Sequence, residues 1–182
     1  MTLQEGRPTN TQGRAQKELE AYDFLDALGV SYQRIDHAAA NTMEVCAEID
    51  AALGATICKN LFLCNRQCTD FYLLMMPGDK VFKTKDLSHQ LGTARLSFGA
   101  PEKMEEYLHT LPGSASVLGL MHDGEQRVQL VIDREVLEGE FVGAHPLVNT
   151  SSIRIATRDL IERIIPAMGH DYRVVELVRY ES

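Results

Sequence analysis

The chain has 182 residues, of which 45% are hydrophobic and 24% charged, and a formal net charge of -8 at pH 7. Its length suits one core rather than two, since domains commonly run about 100 to 150 residues, and no apolar run approaches the roughly 20 residues that cross a membrane as a helix. The negative balance argues against broad electrostatic binding to nucleic acid, which depends on cations neutralising phosphates, so a nucleic-acid partner has to be met locally.

Residues 1–12 are polar, include Gly6 and Pro8, and lack the basic-then-apolar order of a secretory signal. They read as a flexible tail ahead of a single domain over residues 13–182, in a cytoplasmic protein whose cysteines (Cys46, Cys58, Cys64, Cys68) are free thiols rather than disulfides or paired zinc ligands. Across residues 14–28, Leu19, Tyr22, Leu25 and Leu28 recur every three positions and Gly29 follows as a stop, which predicts an amphipathic helix. Residues 30–36 read as extended. Asn41 with Glu44 three positions on, then Val45, Cys46, Ile49 and Leu53 before Gly54, predicts a second helix.

Residues 56–64 and 69–76 are apolar and rich in β-favouring side chains, with polar Asn65-Arg66-Gln67 between them, so they form a hairpin that ends at the turn Pro77-Gly78-Asp79. Short helices are expected at residues 85–91 and, with Pro101 suited to a first turn, at 101–108. Strands follow at 116–121, 127–133, 140–144 and 152–155, then a helix capped by Thr157 and running to Ile165, then a closing strand at 172–178. About seven strands and five helices, without regular strand-helix alternation, make an α+β domain with a mixed, mostly antiparallel sheet wrapped by helices.

Two places concentrate unusual chemistry. In an extended strand Lys59 shares a face with Ile57, Leu61 and Leu63. A lysine there either snorkels at a sheet edge or meets something anionic at the mouth of the core. Downstream, Gly143-Ala144-His145-Pro146-Leu147-Val148-Asn149-Thr150 sets an imidazole at a bend: Pro146 biases His145 toward extended backbone and Gly143 permits close approach. The alternative is a loop histidine satisfied by a carbonyl, with Asn149, Thr150, Ser151 and Ser152 forming a capped turn. Lys80, Lys83 and Lys85, with Arg95 and Lys103 beyond them, either face a few phosphates or form a solvated rim.

The motifs of serine hydrolases, HExxH metalloproteases, phosphate-binding loops and dinucleotide folds are missing. Ser114 and Ser116 have small neighbours but not an elbow pattern, Cys58 alternates away from Lys59, and His37, His89, His109, His122 and His170 show no metal spacing. No cofactor or metal is expected.

Five segments, in order, carry a resemblance: Cys58-Lys59-Asn60-Leu61-Phe62-Leu63, Leu74-Met75-Met76-Pro77-Gly78-Asp79-Lys80, Leu91-Gly92-Thr93-Ala94-Arg95-Leu96-Ser97-Phe98, Pro112-Gly113-Ser114, and the loop at 143–150. The chain resembles the YbaK/ProX family of aminoacyl-tRNA deacylases, related to the editing domain inserted in bacterial prolyl-tRNA synthetases, over residues 19–177. It is most similar to the free-standing alanine-specific members. The resemblance implies a mixed sheet wrapped by helices and hydrolysis of the ester that joins a wrong amino acid to the terminal adenosine of tRNA(Pro). It implies that Lys59 holds the phosphate or terminal nucleotide with Asn60 beside it. Gly143, His145 and Pro146 would shape a small amino-acid pocket and lend backbone groups to the substrate, with Ala144, Asn149 and Thr150 in the same loop. Thr42 and Met43 would border the cleft, and Lys80, Lys83 and Lys85 would meet the tRNA. Residues 38–41 replace a proline-containing stretch common in relatives. The partners implied are the tRNA acceptor end and prolyl-tRNA synthetase; the rival readings are a deacylase for tRNA mischarged with cysteine or serine, and a noncatalytic module that binds a tRNA end.

Overall fold

The computed structural model describes residues 1–39 and 42–180, with Met43 by its backbone alone. A strand β1 (Gln4–Glu5) precedes helix α1 (Gln16–Ala27), whose Ala21, Tyr22 and Leu25 are fully buried. Strand β2 (Tyr32–Asp36) leads to α2 (Met43–Leu53), stopped by Gly54 at a φ of 74°. The expected cap Asn41 lies outside the described residues; Thr42 takes the cap, its hydroxyl accepting the Val45 N–H at 3.2 Å. The hairpin is β3 (Lys59–Cys64) and β4 (Phe71–Met76), followed by α3 (Thr84–Leu91), a short β5 (Ser97–Phe98) and α4 (Pro101–Leu108). Strand β6 (Val128–Asp133), α5 (Arg134–Glu138), β7 (Phe141–Ala144) and β8 (Ser151–Ala156) come next. Helix α6 (Thr157–Asp159) runs through a π-helical stretch (Leu160–Ile164) into α7 (Ile165–Ala167), and β9 (Tyr172–Val175) closes the chain.

The α+β class and the mostly antiparallel pairing agree with the sequence reading, but the described strands divide into two sheets. One has the order β1-β2-β8-β7, all antiparallel; the other has the order β5-β3-β4-β6-β9, antiparallel through β5, β3 and β4 and parallel from β4 to β9. The second sheet is covered on both faces. Phe62, Leu73, Met75, Leu130 and Ile132 pack into the main core, while Leu63, Leu74 and Val131 pack against Leu87 and Leu91 of α3. Burial on both faces accounts for the unbroken apolar run of β4, all six residues of which are buried.

Three expectations need correction. The N-terminal residues are not a loose tail: β1 pairs with β2, the Gly6 N–H donates to the Tyr32 carbonyl at 2.9 Å, and buried Arg34 donates to Gly6 and Gln4. The segment read as a strand at 116–121 is a 3-10 helix (Val117–His122) capped by the Ser116 hydroxyl. Its Val117, Leu118 and Leu120 are fully buried, and a short apolar run has no periodicity that separates a buried strand from a buried helix. Thr157 does not cap the last helix from outside; it is the first helical residue, and its hydroxyl donates to the Gly139 carbonyl at 2.6 Å. The short α5, β1 and β5 have too few residues to show a period.

The two sheets meet at one seam. The Gly143 N–H donates to the Thr56 carbonyl at 3.3 Å and the Cys58 N–H donates to the Gly143 carbonyl at 3.2 Å, a parallel bridge that ties β7 to the lead-in of β3. A Cβ at position 143 would stand 3.0 Å from Ile57 Cα and from the Thr56 oxygen, so only glycine lets the backbones approach this closely. Gly78 presses on the other side, where a Cβ would meet the Ile57 oxygen at 2.9 Å. Gly143→Ala should destabilise the protein by about 1 to 3 kcal/mol through overpacking against backbone that cannot rotate away, read as a lower urea midpoint in equilibrium unfolding.

Candidate active site

A cleft of about 540 Å³ opens at the seam. Thr56, Ile57, Cys58 and Lys59 line its floor, Thr42, Cys46, Ala47 and Asp50 of α2 form one wall, and His145 and Asn149 form another, with Gly78, Asp79 and Gly113 at the rim. A neighbouring groove of about 580 Å³ shares Thr56, Cys58 and Asp79 but is walled by Glu135, Glu138 and Glu140. Arg179 also lines that groove, paired with Glu135 and Asp79, whereas the first cleft holds both Lys59 and His145.

Lys59 is half-buried at the start of β3, opposite Met76 in register. Its ammonium donates to the Lys80 carbonyl at 2.7 Å and makes no ion pair among the described residues. One of its three protons is thereby used to fix its position, and the others remain for a ligand.

His145 sits past the end of β7, where its Nδ1 lies 3.1 Å from the Ser151 carbonyl. A carbonyl accepts only, so Nδ1 carries the proton and Nε2 is left as an acceptor. Burial lowers the His145 pKa below its usual 6.5, with the Ser151 carbonyl pulling the other way and nearby His37 adding to the fall, and the ring is neutral at pH 7. Ser151 is itself anchored: its hydroxyl donates to Asp36 at 2.7 Å, and Asp36 also receives Arg14 at 2.8 Å and the side chain of Arg34. Burial opposes ionisation of Asp36, but hydrogen bonds from Arg14, Arg34 and Ser151 outweigh it and hold the carboxyl well below the ordinary carboxylate range. His37 completes the loop through the Ser152 hydroxyl at 2.8 Å. The bend thus fixes a neutral imidazole from beneath.

Of the residues expected at the site, the cleft brings together Lys59, His145, Asn149 and Thr42. The Met43 side chain lies outside the described residues. Gly143 lends no backbone group to a substrate, because its N–H and carbonyl are both spent on the seam. Asn60 does not line the cleft; its amide donates to the Cys58 carbonyl at 3.0 Å and its Oδ1 is buried without a partner among the described residues. The Ala144 side chain is in the core, Pro146 is buried, and Thr150 is exposed with its carbonyl receiving the His37 N–H at 2.9 Å.

Lys80 is not a phosphate-facing cation. It is 2% exposed, paired with Asp133 at 2.7 Å and Glu135 at 3.2 Å, and donates to the Leu177 carbonyl at 2.8 Å. Lys83 and Lys85 are exposed where α3 begins, with the Lys83 ammonium 3.9 Å from the centre of the Tyr180 ring. Cys58 lies in the cleft beside Asp50, yet burial, and secondarily that carboxylate, push its pKa up to about 12, so the thiol stays protonated and is no nucleophile. The sequence reading missed Asp50 and Cys46. Their signal is spacing: Thr42, Cys46 and Asp50 recur every fourth residue and so share one helix face.

The cleft thus holds a fixed lysine, a neutral imidazole and a protonated thiol together. A model of the aminoacyl-tRNA editing domain matches residues 37–162, and the chain belongs to that family, which makes it an aminoacyl-tRNA deacylase. It is 30% identical to the prolyl-tRNA editing protein ProX of Acetoanaerobium sticklandii over 153 residues, 84% of this chain and 93% of the relative. It is also 30% identical to prolyl-tRNA synthetase associated domain-containing protein 1 of Danio rerio, covering 80% of this chain and 78% of that protein. Among solved structures, a candidate trans-editing enzyme for prolyl-tRNA synthetase shares the fold at a TM-score of 0.65 and 15% identity, covering 90% of this chain and 99% of that one. A protein used as a scaffold for grafted epitopes shares it at 0.70 and 17% identity.

Two outcomes test this geometry. An NMR titration should find His145 neutral with its proton on Nδ1 at pH 7 and a midpoint below 6.5; because folding depresses this pKa, its contribution to stability is full above 6.5 and is lost as the pH falls through the folded midpoint. Lys80→Ala should cost about 3 to 5 kcal/mol of unfolding free energy by stranding Asp133 as an unpaired buried charge, measured by denaturant unfolding.

Proposed function

We propose that the protein hydrolyses mischarged tRNA(Pro) in trans, with alanyl-tRNA(Pro) as its main substrate. The observation that carries this reading is the half-buried Lys59 ammonium, tied to the Lys80 carbonyl and facing a cleft whose other fixed group is the neutral His145 imidazole. Lys59 takes the phosphate of the terminal nucleotide by a charge-assisted hydrogen bond. The unpaired RNA end needs only a small polar cleft for its base and hydroxyls, which a protein of net charge -8 can supply locally. Asn149 and His145 border the aminoacyl group. An ester to a ribose hydroxyl is already activated, so a positioned water suffices, and the free neighbouring hydroxyl of the same ribose orients it.

The biological need follows from size. A synthetase pocket built for proline excludes smaller alanine weakly, because a missing methylene is worth only about 1 to 3 kcal/mol, and a second site has to remove what slips through. The prolyl-tRNA editing relatives support this substrate class. Prolyl-tRNA synthetase is the partner that would supply the substrate, and the cytoplasm the compartment; no helix among the described residues is long and apolar enough to cross a membrane.

The test is a panel of purified tRNAs charged with alanine, cysteine, serine and proline. Alanyl-tRNA(Pro) should release its amino acid fastest and prolyl-tRNA(Pro) should persist. Faster release from the cysteine or serine substrates would reassign the specificity, and binding without release would make the protein a tRNA-end binding module. Lys59→Ala should lower kcat/KM by roughly 10- to 150-fold, the loss of a charged hydrogen bond worth about 1.5 to 3 kcal/mol; full activity in that variant would refute the role of Lys59.

A further inference from the structure

Asp50 enters the cleft from α2, on the same wall as Thr42 and Cys46. It is half-buried, and its Oδ1 accepts the Ile57 N–H at 3.0 Å, which pins the carboxyl to the seam. Among the described residues nothing donates to Oδ2, and no cation pairs with the group. Lys59 shares the cleft but is turned to the Lys80 carbonyl. The other carboxylate on the cleft, Asp79, is 72% exposed at its side chain and faces Arg179 at 3.3 Å, so its charge is already answered.

The carboxylate is half-buried with one oxygen pinned and the other turned to the open cleft, where a cationic group could meet it at little desolvation cost to the protein. Burial raises the Asp50 pKa, with the Ile57 N–H drawing it back, and a cation at Oδ2 would favour the charged form. The substrate class proposed above carries a positive charge on its α-ammonium group and a negative one on its terminal phosphate. The cleft offers the complement of each.

We propose that Asp50 binds the α-ammonium group of the aminoacyl ester, selecting esters of free amino acids over those with a neutral acyl group. The inference rests on the deacylase reading and deepens it. With the phosphate at Lys59 and the ammonium at Asp50, the aminoacyl-adenosine is held at two points within the cleft that His145 also lines. Ammonium-carboxylate pairing of this kind is shorter and stronger than a neutral hydrogen bond and is lost when the ammonium is replaced by a hydroxyl.

The experiment compares alanyl-tRNA(Pro) with lactyl-tRNA(Pro), the same ester carrying a hydroxyl in place of the amino group, each corrected for its spontaneous hydrolysis. The wild-type protein should prefer the alanyl ester by roughly 10- to 100-fold in kcat/KM. Asp50→Asn keeps an oxygen for the Ile57 N–H but removes the charge; it should lose that factor on the alanyl ester and keep the wild-type rate on the lactyl ester. Glu48→Gln, at an exposed acid of α2 that does not line the cleft, should behave as wild type on both. Equal slowing of both substrates by Asp50→Asn would assign Asp50 to structure and overturn the proposal, as would a wild-type protein that treats the two esters alike, a measurement that needs no variant to fold. Turnover of both esters without preference would leave the deacylase reading standing, whereas turnover of neither would end both.

Discussion

Everything at this site hangs on the close approach of Gly143 to the backbone at 56–58. Two hydrogen bonds and the lack of a Cβ let β7 of one sheet lie against the lead-in to β3 of the other. Because that bridge crosses between sheets, it brings Lys59, which begins β3, and His145, which follows β7, to one cleft, although they are 86 positions apart in sequence. Asp50 is tied to the same seam through Ile57. The glycine holds the floor of the cleft, and its own polar groups are consumed in doing so.

Around the seam, polar groups are ordered in layers. Arg14, Arg34, Asp36 and Ser151 form a connected network under the bend, and only its last carbonyl reaches His145. A satisfied network of this kind is rigid, whereas a half-satisfied one would be worse than an apolar core. Lys80 performs the same service for Lys59: its side chain is spent on Asp133, Glu135 and Leu177, and its backbone carbonyl orients the neighbouring ammonium. One lysine is structural so that another is placed. On the function proposed above, an acidic protein meets RNA with cations supplied at a point rather than over a surface.

Much of the fold was legible because its elements have clear periods or punctuation. The three-residue apolar recurrence of α1, the glycine stop of α2 and the polar tip between β3 and β4 each follow from local sterics and burial, and each is found where expected. The failures have physical reasons too. The 3-10 helix Val117–His122 has four consecutive buried residues, 117–120, and so lacks an amphipathic pattern, and the N-terminal strand is held by Arg34 and the edge of β2, neither of which the tail itself encodes. In the site, Lys59 stood out as a cation on an apolar strand face and His145 as an imidazole held at a proline bend. Asp50 was hidden as one polar residue of an amphipathic helix.

The amino-acid sequence alone determined the α+β class, most element positions, the two unusual side chains at 59 and 145, and the family to which their motifs belong, because these depend on local periodicity and on residue types that are costly to bury. The tertiary structure decided which polar groups are spent and which remain to act. Lys80 and Lys83 look alike in sequence, yet one is sealed in an ion pair and the other is exposed. Asn60 and Gly143 adjoin the cleft but have their hydrogen bonds committed elsewhere, while Asp50 keeps an oxygen to spare. That difference comes from long-range packing and hydrogen-bond partners far away in sequence, which no local pattern records.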